Sequence, residues 1–136
     1  MIDKIKEIVD FLQKSKIFYF ATCDDGQARV RPFGAVFEFN GKLYFVTGSQ
    51  KDVYKQLEKN PKFEVSSTLP DGQTWIRLTA KAVLENDVAA KQKAFEIFPF
   101  LANMYKSPDS QTFAVFSAKD IKANIFSMGA GKREIL

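Results

Sequence analysis

The chain has 136 residues, 46% hydrophobic and 26% charged, the balance of one ordinary globular domain spanning 1–136. Its net charge is +4, with bases and acids interspersed and no basic stripe evident, which argues against a nucleic-acid partner. Histidine is absent, which excludes Ser-His-Asp and Cys-His catalysis, histidine-ligated metals and haem on a proximal histidine; redox chemistry would need an organic cofactor.

The single cysteine, Cys23, cannot form an intrachain disulfide. It precedes Asp24 and Asp25, whose charges disfavour a reactive thiolate. The opening segment is amphipathic rather than a cleavable apolar leader, and no apolar run reaches membrane-spanning length. A reducing cytoplasm is the expected location.

Ile2, Ile5, Ile8, Val9 and Leu12 recur every three or four residues and predict a helix over 2–16. Ile17 to Thr22 reads as a strand. Asp24-Asp25-Gly26 is a turn, and Gln27 to Phe39 reads as the returning strand of a hairpin. Asn40-Gly41 signals a second tight turn, leading into a strand over 42–47. Gly48-Ser49-Gln50 is a loop before a short helix over 52–59, which Asn60-Pro61 stops. Strands follow over 63–68 and 73–85, joined by Leu69-Pro70-Asp71-Gly72. Val88 to Met104 is helical, kinked or split at Pro99. Two last strands are expected over 112–117 and 121–127, then a flexible tail containing Gly129 and Gly131. Tight turns between successive strands imply antiparallel pairing. Six or seven largely antiparallel strands with peripheral helices predict a mainly β (α+β) barrel. The 14 phenylalanines suit pleated, half-buried strands.

Three constellations stand out. Arg29 and Arg31 share one strand face, and Pro32 cannot donate to a ladder, so this stretch is an edge, a bulge or a ligand-facing segment. Two guanidiniums on one face fit an anion there, and fit equally a solvent-facing strand with snorkelling arginines. Ser49, Gln50 and Lys51 lie where a strand passes into a helix, a position that binds anions or is simply capped by Ser49. Trp75 could lie beside a flat ring, although an ordinary core or interface tryptophan is the commoner case. The carboxylates show no pairing suited to acid–base work, and no catalytic residue is identified.

The order and spacing of these segments, from about Ile17 to Asp87, resemble the pyridoxamine 5′-phosphate oxidase-like flavin-mononucleotide (FMN)-binding family. The match rests on Arg31-Pro32, Tyr44-Phe45-Val46-Thr47, the loop with Lys51, Leu57-Glu58-Lys59-Asn60-Pro61 and the strand around Trp75. Its short bacterial members include general-stress-protein-like and nitroimidazole-resistance-like proteins. The resemblance implies a split β-barrel that dimerises, with FMN at the subunit interface. Arg31 resembles the arginine on the FMN phosphate, Pro32 and Phe33 the backbone along the ring, and Val46 and Thr47 the strand end at the flavin. Val53 stands where the family carries its phosphate-binding lysine, leaving Lys51 as the nearest, and Trp75 replaces a polar contact, often glutamine. The chain shows no Arg-x-His substrate motif, so pyridoxamine phosphate oxidation is not expected. The expected function is FMN-dependent oxidoreduction of an unknown substrate. Alternatives are a flavin reservoir or sensor without turnover, or a deazaflavin or haem in the same barrel.

Overall fold

The computed structural model describes residues 1–136. Helix α1 (Ile2–Ser15) buries Ile5, Ile8, Val9, Phe11 and Leu12 along one stripe. Strands β1 (Phe18–Asp24) and β2 (Gln27–Phe33) form a hairpin. So do β3 (Val36–Phe39) and β4 (Lys42–Gly48). Both turns place two residues at positive φ, Asp25 and Gly26 at 51° and 85°, and Asn40 and Gly41 at 51° and 76°. That geometry matches the twist of the flanking strands. Then come α2 (Asp52–Lys59), β5 (Lys62–Thr68), β6 (Thr74–Val83), α3 (Val88–Ile97), α4 (Leu101–Tyr105), β7 (Phe113–Ser127) and β8 (Gly131–Glu134).

The mainly antiparallel expectation holds, with eight strands rather than six or seven. Three segments differ from the sequence reading. The strand expected over 27–39 is two, because Pro32 removes a donor and the chain leaves the sheet at Gly34 and Ala35. The two final strands are one, since Ala118 and Lys119 stay paired with Ala82 and Lys81. A register shift between Thr79 and Lys81 and a positive φ at Asp120 (54°) absorb the bend there. The tail is ordered: β8 pairs with β7, and Ile135 is buried. The split at Pro99 is found, between Ile97 and Leu101.

The strand order is β2-β1-β5-β6-β7-β4-β3, with β8 beside β7. The two ends of this ladder, β2 and β3, are separated in sequence only by Gly34 and Ala35. The sheet therefore curls until its edges nearly meet without closing, which is a split barrel. Phe20 lies at its centre. Its ring stacks on Phe33 and Phe63 at 4.6 and 4.5 Å and meets Phe45 and Phe116 edge-on at 5.5 and 5.6 Å. α1 and α2 add Ile8, Leu12, Val53 and Leu57 to this core. A second core lies outside the barrel, where α3 and α4 cover Phe37, Tyr44, Phe113 and Val115. Burial on both faces explains the unbroken apolar runs of β4 and β7.

The outer face of β1, β5 and β6 carries exposed side chains instead: Tyr19 is 52% exposed, and Glu64, Thr68 and Arg77 are also exposed. Trp75 lies on this face, stacked on Phe126 at 4.1 Å with the Arg77 guanidinium 5.3 Å from its ring. No helix is long and apolar enough to cross a membrane.

Because Phe20 touches rings from four other strands, Phe20→Ala is expected to cost about 3–5 kcal/mol of unfolding free energy. Val30→Ala, on the exposed edge, is expected to stay within about 0.5 kcal/mol. Urea denaturation of the two variants checks this, and equal midpoints would contradict the Phe20-centred core.

Candidate functional site

Pairing across the first hairpin aligns Phe18 with Phe33, Phe20 with Arg31 and Thr22 with Arg29. Arg29 and Arg31 thus lie on the barrel's concave side, at its open edge. The Arg31 guanidinium donates to the Phe20 carbonyl at 3.2 Å, to the Thr22 hydroxyl at 2.8 Å and to Gln56 Oε1 at 2.7 Å. The Thr22 hydroxyl donates in turn to Gln56 Oε1 at 2.5 Å. Every partner is neutral, and no carboxylate lies within ion-pair distance of Arg31. Burial pulls Arg31 below the ordinary arginine range; Asp52 partly offsets this, and Arg29 adds to it. The side chain remains a cation, anchored through neutral groups.

Across the gap between β2 and β4, Thr47 is 3% exposed, and its hydroxyl has no hydrogen-bond partner. A buried hydroxyl left unmatched costs free energy, so a bound group that accepts or donates there is favoured. A cleft opens between these two residues. Arg31 to Ala35, Val46 and Thr47, Lys51 and Val53, and Phe100 with Leu101, Met104 and Tyr105 of α4 line it. Gly48 lets Tyr105 approach: a Cβ at Gly48 would lie 3.1 Å from the Tyr105 hydroxyl. Burial raises the Tyr105 pKa, and burial followed by Asp87 and Glu85 raises that of Tyr44.

Arg31, Lys51 and Val53 also border a second, open cleft between β2 and α2. Arg29, Lys55, Lys59, Asp24, Asp52 and Gln56 also line it. The chain therefore does assemble a cationic stripe, which interspersed acids in the sequence conceal.

Of the residues singled out in the sequence, Arg31, Pro32, Phe33, Val46, Thr47 and Lys51 meet at one cleft. Ser49 does not cap α2: Lys51 is the N-cap residue, with no side-chain bond. The Ser49 hydroxyl instead donates to the Gln111 carbonyl at 2.8 Å, tying the loop to the start of β7. Gln50 is exposed and borders neither cleft. Trp75 lines neither cleft of its own chain. Neither Lys55 nor Lys59 was singled out as a site residue, although their spacing of four from Lys51 places all three on one helical stripe. Gln56 and the α4 wall carry no sequence signal, because tertiary packing alone brings them to Arg31 and Thr47.

The profile of the family described as pyridoxamine 5′-phosphate oxidase matches residues 5–122. The chain belongs to that family. A solved NimC/NimA family protein from Clostridium acetobutylicum is 39% identical over 98% of this chain and 92% of its own, with a TM-score of 0.92. General stress protein 26 from Bacillus anthracis str. Sterne shares the fold at 17% identity, covering 98% of this chain and 97% of its own, with a TM-score of 0.71. A heme binding protein from Mycobacterium smegmatis shares it at 12% identity, with a TM-score of 0.74 over 98% of this chain and 56% of its own. No match was found among curated protein sequences.

Two predictions follow from the hydrogen bonds and the buried phenols. Gln56→Ala leaves Arg31 and Thr22 each short of a partner and is expected to lower stability by about 1–2 kcal/mol in urea. A change below about 0.3 kcal/mol would mean that water replaces the amide. The second prediction concerns alkali. A tyrosine whose pKa is raised by folding binds its proton more tightly folded than unfolded. Its stabilising contribution is whole below the unfolded value of about 10 and is lost as pH rises above it. Parent protein is expected to lose stability above pH 10 more steeply than Tyr44→Phe or Tyr105→Phe, measured as urea midpoint against pH.

Proposed function

We propose that this chain binds FMN between two copies of itself and works as a flavin-dependent oxidoreductase. The observation that carries the reading is the cleft joining Arg31, a cation held by neutral groups alone, to the unmatched Thr47 hydroxyl across a largely apolar slot. A ligand for this cleft has an anionic end, a flat apolar body and a polar edge. FMN has all three, and its ring supplies hydride or electron transfer when bound.

In this reading Arg31 forks onto the phosphate and Lys51 adds a point charge beside it. The backbone at Pro32 and Phe33 lies along the ring, with no amide proton at Pro32 to compete. Val46 gives apolar contact, and the Thr47 hydroxyl hydrogen-bonds the ring edge. Ser49 serves by fixing the loop that carries Lys51, while Gln50 lies outside the cleft of its own chain. Trp75 serves the site of a second copy, from the uncovered face it shares with Tyr19 and Arg77. Covering that face is also what favours a homodimer. Membership of the family described as pyridoxamine 5′-phosphate oxidase supports a redox role, and the donor, acceptor and catalytic groups are what turnover assays must identify. The haem alternative draws on a fold shared at 12% identity, and this chain has no histidine to ligate iron.

Arg31→Ala is expected to weaken FMN binding about ten- to a hundredfold, the loss of one charge-assisted hydrogen bond of about 1.5–3 kcal/mol. Lys51→Ala is expected to act in the same direction and Arg29→Ala to do less. Riboflavin, without a phosphate, is expected to change little. Flavin fluorescence quenching on the three variants reads this out, and equal loss of FMN and riboflavin would remove the phosphate assignment. Thr47→Val is expected to raise the stability of the unliganded protein by up to about 1 kcal/mol while weakening flavin binding. Sedimentation at micromolar concentration is expected to give twice the chain mass. Reduction of bound flavin by a nicotinamide cofactor, followed by reoxidation, separates an enzyme from a flavin reservoir.

A further inference from the structure

The cations outnumber what one phosphate needs. Arg31 and Lys51 suffice for the FMN phosphate, and Arg29 is half-neutralised by Asp24 at 3.4 Å. Lys55 and Lys59 remain, one and two turns further along α2, and the cleft between β2 and α2 is lined by both. Lys51, Lys55 and Lys59 form no ion pair with any carboxylate of the chain. Asp52, the other acid of the cleft, acts on Arg31 through space.

At about 1.5 Å of rise per residue, Lys51 and Lys59 are about 12 Å apart along the helix. A single phosphate cannot reach both. Like charges four residues apart weaken a helix, so a stripe of three lysines facing an arginine edge is an arrangement that a second anion relieves. The two clefts share Arg31, Lys51 and Val53, so a second anion linked to a group that already reaches Arg31 can extend along the stripe.

We propose that the cleft between β2 and α2 is a diphosphate subsite, which takes the linked phosphates of a dinucleotide along Lys55 and Lys59. The proposal rests on the flavin reading for what enters the apolar cleft and on the lysine stripe for what lies beyond it. The dinucleotide is either the flavin cofactor itself, extended by an adenylate, or the nicotinamide co-reactant that reduces it.

Calorimetric titration with inorganic pyrophosphate and orthophosphate tests the subsite without any flavin. Parent protein is expected to bind pyrophosphate at least tenfold more tightly than orthophosphate. The double variant Lys55→Ala/Lys59→Ala is expected to lose that preference, and Lys55→Arg/Lys59→Arg to keep it. FMN affinity is expected to change less than twofold in the alanine double variant, because Arg31 and Lys51 are intact. A tenfold or greater loss of flavin adenine dinucleotide affinity assigns the subsite to the cofactor. The same loss for NADPH on FMN-loaded protein assigns it to the co-reactant. No pyrophosphate preference in the parent, equal weakening of FMN and dinucleotides, or no effect on either dinucleotide would each overturn the proposal. A protein that prefers pyrophosphate through these lysines but binds no FMN keeps the subsite and overturns the flavin reading instead.

Discussion

Everything else in the structure is arranged around the Phe20 ring. Two rings lie flat on it and two meet it edge-on, and they come from β2, β5, β4 and β7. Aromatic rings prefer these offset and edge-on arrangements, so the cluster fixes angles as well as distances between strands. That makes the sheet curl. A flatter sheet would leave β2 far from β4, and the guanidinium of Arg31 would never face the hydroxyl of Thr47. The phenylalanine core therefore sets the width of the cleft, though only Phe33 among its rings borders it.

The open seam of the barrel is where polar chemistry is tolerated. Inside a closed barrel a guanidinium without a carboxylate would be too costly to keep charged. At the seam Arg31 is half-buried, satisfied on one side by Thr22, Gln56 and a carbonyl, and open on the other. Neutral anchoring leaves the charge unspent. An aspartate in place of Gln56 would hold the side chain as firmly and cancel the attraction for an anion.

Much of this architecture was legible in the residues. Turn chemistry at Asp25-Gly26 and Asn40-Gly41 announced both hairpins, and Asn60-Pro61 marked the end of α2. Arg31 through Phe33, Val46, Thr47 and Lys51 were recognisable from order and spacing. The break after Phe33 was harder to see, because β2 and β3 are each good strands and only the sheet order shows that they belong to opposite edges. The length of β7 was hidden by charged Lys119 and Asp120; Lys119 stays paired with Lys81, and Asp120 sits at the register shift where the strand bends without ending. The tail looked mobile from its glycines, whereas positive φ at Gly129 and Gly131 is what turns the chain back onto β7. Ser49 looked like a helix cap, and only its bond to Gln111 shows that it staples a loop. Gln56 and α4 lay beyond reach, since no local pattern says which distant residues a side chain will meet.

The long strand β7 also sets the order in which the molecule can assemble. Its first residues, 113–117, pair with residues 44–48, and its remainder pairs with β6 and β8. β4 and β6 have no ladder between them until β7 lies between. As the polypeptide emerges from the ribosome, both hairpins can form early, but the phenylalanine-rich faces of β1, β4 and β5 stay wet until Phe116 arrives. Contacts so far apart in sequence make folding slow, on the order of milliseconds to seconds, and lengthen the interval in which exposed strands can pair with those of another chain. The half-made barrel is thus the stage most open to pairing with another chain.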